Sequence, residues 1–182
     1  ITGNDGTATV VMAGSGPAFR LLGKHGGTGD PGSVKPDVWN NERMPTVSRI
    51  AVEGTHAEAD GFELEGTMQA VFDGVMVRRV RHAIHLIKRN RNVIITNCHL
   101  YHNTGVGVYL DGINLHQINI SGSHISYNRL GGIRIERSEV RNLRSPATTS
   151  NTTTPSPTRR SPPNPRRRSG STPPPRARAS TK

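Results

Sequence analysis

Apolar and polar residues alternate through the centre of the chain. Val93 and Ile95, Val108 and Leu110, Ile118 and Ile120, and Ile133 and Ile135 are each two positions apart, with polar or small residues between them. A period of two buries one face of a strand and exposes the other. The apolar positions are rich in β-branched side chains, which favour a pleated strand over a helix. The predicted strands are short, and Gly, Asn or Ser separates them. The pattern also recurs. Residues 98–110 and 123–135 match at His99 and His124, Asn103 and Asn128, and Gly107 and Gly132, always at the same interval. Leu100 matches Ile125, Val108 matches Ile133 and Leu110 matches Ile135. A fixed period of about 25 residues marks stacked structural units that bury their apolar faces against one another.

The same pattern extends outward from the two matched units. Inward strand positions fall at Ile50-Val52, Val75-Val77, Val93-Ile95, Ile118-Ile120 and Leu143. Every step equals the period except the one from Val75 to Val93, which is shorter. The short step predicts one trimmed turn. A second strand falls at Phe62-Leu64, Ile84-Leu86, Val108-Leu110 and Ile133-Ile135. The prediction is an all-β solenoid of about four coils between residues 47 and 143, with a fifth beginning. Residues 1–22 read as a further coil, and the Gly-rich segment 23–46 as a long loop whose Trp39 covers the solenoid edge. Cys98 aligns with Ser123 and is expected to be a small buried residue, not a catalytic thiol.

The segments 91–100 (RNVIITNCHL) and 116–128 (HQINISGSHISYN) resemble the right-handed parallel β-helix family, the pectate-lyase-like superfamily. The resemblance covers residues 1–143. It implies a single-stranded right-handed parallel β-helix, and it brings carbohydrate-active chemistry, lyase or hydrolase, into consideration. The family's lyases use clustered acids for calcium, and no matching cluster of Asp on neighbouring coils is found here. Fold alone does not specify activity.

Composition changes this picture at one end. The 182 residues carry a formal net charge of +11, with 24 Lys and Arg against 13 Asp and Glu. Residues 144–182 hold nine of the basic residues and no acidic one, so residues 1–143 are nearly neutral. The tail is Pro, Ser, Thr, Arg and Ala without a large apolar residue, a composition that cannot bury a core and predicts disorder. It invites the reading of a basic arm for nonspecific contact with phosphates. A second reading is a shifted reading frame. Residues 145–153 (SPATTSNTT), reread from the third base of the preceding codon, can become Ile-Thr-Gly-Asn-Asp-Ile-Glu-Tyr-Asn, which aligns with Ile120–Asn128 in the register of the repeat. On that reading the solenoid lacks its last coils, and its exposed end invites self-association.

No apolar run approaches a membrane span, and one cysteine precludes an internal disulfide. The chain begins at Ile1 with no signal peptide in it, which leaves export open; an extracellular or cell-surface location fits the family. Gly23–Gly29 lacks the Gly-Lys-Ser/Thr ending of a phosphate loop. No cofactor or metal is expected.

Candidate chemistry lies on the outward strand positions. Aligning the second strand places Glu63, His85, Tyr109 and Arg134 in one column, with Glu65, Asp111 and Glu136 beside it and Asp60 level with His82. Ring stacking on Tyr109 and charge-assisted bonds from Arg134 suit an extended, uronate-type polysaccharide lying along the axis. Polar outward positions are also what solubility demands. Glu63 with Glu65, or Asp111 with Glu136, could form the carboxylate pair a glycosidase needs. His99 with His124 and Asn103 with Asn128 are read as structural ladders between coils, with metal binding by the histidines as the alternative. The turn Lys88–Arg91 is read as a solvated connection. The functional expectation is a carbohydrate-binding or structural solenoid; alternatives are a polysaccharide lyase or hydrolase, and nonspecific nucleic-acid binding by the tail.

Overall fold

The structure, a computed structural model, describes residues 1–4, 8–146 and, as backbone, 149–151. The chain winds into a parallel β-solenoid of about four turns in which each coil contributes three strands to three faces. The first face holds β3 (Thr46–Ser48), β6 (Val71–Asp73), β9 (Val93–Thr96), the second half of β11 (Val106–Ser121) and β14 (Glu139–Arg144). The second holds β1 (Thr9–Met12), β4 (Ala51–Gly54), β7 (Met76–Arg78), β10 (His99–Tyr101), β12 (His124–Ser126) and β15 (Thr149–Asn151). The third holds β2 (Gly16–Leu22), β5 (Ala59–Glu65), β8 (Ile84–Asn90), the first half of β11 and β13 (Gly131–Glu136). Every strand pairs in parallel with its equivalent in the next coil. β11 runs through two faces without a break. It turns the edge at Gly112, whose φ of 60° is left-handed, where the register to β8 shifts.

The alternation read from the sequence follows these faces. Phe72, Ile95 and Ile120 stack inward from the first face, Val52, Val77, Leu100 and Ile125 from the second, and Phe62, Ile84, Val108 and Ile133 from the third. All but Ile133 are fully buried. Each such aliphatic side chain contributes about 1.5–3 kcal/mol on burial. Phe19, Phe62 and Phe72 add ring contacts, with centroids 5.3 Å and 5.2 Å apart.

The register corrects the short step expected between Val75 and Val93. Val75-Val77 belongs to the second face, whereas Val93-Ile95 belongs to the first, beneath Val71-Phe72. The expected trimmed turn is a change of face. Along the first face Val47 stacks on Phe72, Phe72 on Ile95 and Ile95 on Ile120, and the middle step is only slightly shorter than the steps on either side.

The corners use left-handed backbone at equivalent positions in successive coils. Arg49, Gly74, Asn97 and Gly122 lie between the first and second faces, all with φ of 53–63°. Arg79, His102 and Tyr127 follow the second face, with φ of 58°, 54° and 53°.

Segment 23–46 is not wholly a loop. It contains a 3₁₀ turn (Pro31–Ser33), capped by the Asp30 carboxylate, and a short helix α1 (Pro36–Asn41). Val38 is the buried residue of α1, while Trp39 is 45 % exposed with the Arg43 guanidinium 4.8 Å above its ring. At the other end, the described chain continues past Leu143: β14 runs to Arg144, and Thr149, Ser150 and Asn151 pair with His124, Ile125 and Ser126. The remaining tail lies outside the described residues.

Candidate functional site

The third face assembles the predicted column. Arg20 pairs with Glu63, Glu63 with His85, His85 with Tyr109 and Tyr109 with Arg134, one residue per coil. The neighbouring column holds Leu22, Glu65, Ile87, Asp111 and Glu136. Strand alternation aims both columns outward, because Leu64, Leu86 and Leu110 between them point into the core.

At the centre of this face three rings meet. The His85 imidazole lies flat on the Tyr109 phenol, with centroids 4.9 Å apart and planes 5° from parallel. His82, from the preceding turn, sits 5.0 Å from Tyr109 and 5.4 Å from His85. The His85 Nε2 atom is 3.2 Å from an Asp111 carboxylate oxygen. The Tyr109 hydroxyl donates to Glu136 at 2.6 Å, and the same carboxylate takes bonds from the Arg134 guanidinium. Arg137 bonds Asp111 and lies beside Glu136.

Charge is balanced throughout this face. Glu63 faces Arg20 Nε at 2.7 Å, and Lys88 bonds Glu65. Hydrogen bonds from the Tyr109 hydroxyl and Arg134 hold the Glu136 carboxyl below its ordinary range. Burial pushes the Tyr109 phenol upward, and its bond to Glu136 pushes the same way. Burial raises Asp60, but the Arg81 fork and the His82 amide outweigh it, and the net direction is downward. His82 is lowered, chiefly by burial; its Nδ1 accepts from the Val106 amide at 3.2 Å, which requires the unprotonated nitrogen.

The two predicted ladders have different environments. Asn103 and Asn128 lie inside the turn after the second face, 2 % and 0 % exposed. Asn103 Nδ2 donates to Asn128 Oδ1 at 2.8 Å, and Asn128 Nδ2 donates to the Leu100 carbonyl at 2.9 Å. His99 and His124 stand in register on the outside of the second face, with ring centroids 5.8 Å apart at 80°. They line an open groove of about 510 Å³ with Met76, Tyr101, His102 and Tyr127, the last two stacked at 5.0 Å. Among the described residues, no group of three or more His, Cys, Asp or Glu is placed to hold a metal. Cys98 is buried. Its amide bonds the Ser123 hydroxyl at 3.1 Å, and burial pushes its thiol up to about 11, far from a reactive thiolate.

One feature escapes the sequence pattern, on the edge between the first and third faces. Arg91, His116 and Arg141 recur at the period of the repeat and fall in one column, with Arg89 two positions before Arg91. The spacing is visible in the sequence, where Arg89 and Arg91 read as a solvated turn. Arg91 is instead 5 % exposed, and its Nη1 donates to the Thr28 carbonyl at 2.7 Å.

Among the described residues, no helix is long and apolar enough to cross a membrane. No curated protein and no solved structure matches the chain. Residues 38–154, more than half of the chain, match the family described as "Right handed beta helix region". With stacked parallel strands, three-faced coils and this match, the chain belongs to the right-handed β-helix family.

Proposed function

We propose that this β-helix domain is a carbohydrate-binding module that holds an extended polysaccharide along the axis of the third face, without acting on it. The observation that carries the reading is the flat His85–Tyr109 stack set within charges that already satisfy one another. Sugar rings present both C–H faces and hydroxyls. An aromatic platform edged by anchored polar groups offers both kinds of contact, with little side-chain ordering to be done on binding. The engagement of Glu63, Asp111 and Glu136 with cations and rings favours binding over catalysis. The fold hosts many activities, so the site has to carry the functional argument.

The test is binding of the full chain to a glycan array, repeated with Tyr109→Ala. Loss of at least about tenfold in affinity is expected, the size of one stacking contact with its hydrogen bond. Unchanged binding would exclude this face. A parallel absorbance assay for unsaturated uronate is expected to stay flat; a rising signal would replace the reading with a lyase in which the oriented His85–Asp111 pair and Tyr109 are the first residues to substitute.

A further inference from the structure

Many basic side chains among the described residues are paired with carboxylates. Arg78 and Arg79 share Glu53, Arg81 holds Asp60 and Glu58, Lys24 meets Glu42, and the third-face cations are paired as described. The edge at Arg91 gathers several that are not, one of them buried. Among the described residues, Arg89, Arg91 and Arg141 have no carboxylate within ion-pair distance. Glu139, the acid in the same column as Arg89, is bonded at 2.7 Å by Asn114, which stands between them. Arg91 is almost fully buried, and a buried guanidinium without a counter-ion is costly. Repulsion is felt at two members of the group: after burial itself, Arg141 and Arg91 lower Arg89, and all three arginines lower His116.

Two further observations give the edge the form of a site. The Gly-rich segment closes over it. Thr28 receives the Arg91 bond, and Gly29 packs so tightly that a Cβ there would fall 2.5 Å from Arg141 Nη1 and 3.1 Å from the His116 ring. Immediately beside it a cleft of about 250 Å³ opens on the first face, with Gln69, Asn92, Gln117 and Asn119 presenting amides around Ile94 and Met44. Asn92 Oδ1 contacts His116 Nδ1 at 3.0 Å, which joins cleft and cations. The Asn119 Oδ1 atom is buried without a partner, and Ile94 and Met44 remain exposed.

We propose that this edge binds an oxyanion borne on a hydroxyl-rich sugar, with Arg89, Arg91, His116 and Arg141 holding the anion and the amides of the neighbouring cleft taking the hydroxyls. Guanidinium forks match carboxylate and sulfate oxygens, and side-chain amides both donate to and accept from hydroxyls. The site is separate from the His85–Tyr109 face and does not rest on the function proposed for it.

The experiment is calorimetric titration of the full chain with an oligouronate, a sulfated oligosaccharide, a neutral oligosaccharide of equal length, inorganic sulfate and a single-stranded oligonucleotide. Binding of one or both acidic oligosaccharides is expected, and which one binds identifies the anion. Arg141→Gln, at an exposed position that leaves the Arg91–Thr28 bond in place, is expected to weaken that binding at least about tenfold, while His124→Ala, at an exposed position on the second face, leaves it unchanged. The proposal is overturned if Arg141→Gln and Arg89→Gln both bind as the parent does. It also falls if Arg141→Gln weakens the neutral oligosaccharide as much as the acidic one, if free sulfate binds as tightly as the acidic sugar, or if the oligonucleotide binds more tightly.

Discussion

Asn103 with Asn128, and His99 with His124, are equivalent pairs in the sequence, separated by the same interval and set in the same two coils. In space one pair lies inside the turn that follows the second face and the other outside its strands. The asparagines exchange hydrogen bonds with each other and with the backbone of Leu100, Val77 and Val80 in a dry interior. The histidines stand edge to face in an open groove. Repetition therefore records only that two residues occupy the same place in successive coils. Burial decides whether the repeat holds the coils together, because an unmet hydrogen bond is expensive where water cannot replace it.

The largest effect that would break this contrast is at Asn128. Asn128→Ala removes the acceptor for Asn103 and the donor to the Leu100 carbonyl, and is expected to cost about 2 kcal/mol or more in denaturant unfolding. A loss below about 0.5 kcal/mol would mean the interior ladder holds nothing. Acid gives an intermediate effect. His82 and His25 are both lowered by burial from an ordinary value of 6.5, so the folded state keeps them neutral while the unfolded chain takes up protons. The stability this provides is complete above about pH 6.5 and declines as the pH falls below it. Asp60, with its net downward direction, adds a second loss once the pH enters the carboxylate range. Unfolding midpoints at about pH 7.5 and about pH 5.5 should differ in the parent and converge in His82→Gln if His82 is the main contributor; an unchanged gap would remove it from the account. The smallest effect is expected at His124, where replacement by Ala should alter stability by no more than about 0.5 kcal/mol, since it faces solvent. A larger loss would give the outer pair a structural part after all.

The same distinction governs what can be read from the sequence. Period-two alternation and the fixed-interval repeat carry the coils, the third-face column and the Cys98–Ser123 equivalence, because each depends on register alone. Register fails where two faces offer the same spacing. Val75-Val77 of the second face and Val93-Ile95 of the first fall into one series in a one-dimensional count. The Arg91–His116–Arg141 column has the right spacing, yet its meaning lies in the burial of Arg91 and in the contacts of Thr28 and Gly29, which are far away in sequence. Helix α1 escapes notice because so short a segment among Gly and Pro carries almost no periodicity.

The left-handed corners have a consequence for how the molecule forms. Arg49, Arg79, Asn97 and His102 each hold a backbone conformation that costs an ordinary residue about 1 kcal/mol or more, and each of these corners is tied to the next coil, as Arg79 is to His102 and His102 to Ser126. A lone coil bears that cost with no strand beside it to offset it. A coil laid against a finished one gains its ladder and its corner bonds together. Formation should therefore resemble polymer growth: slow to start, then templated coil by coil from whichever pair closes first.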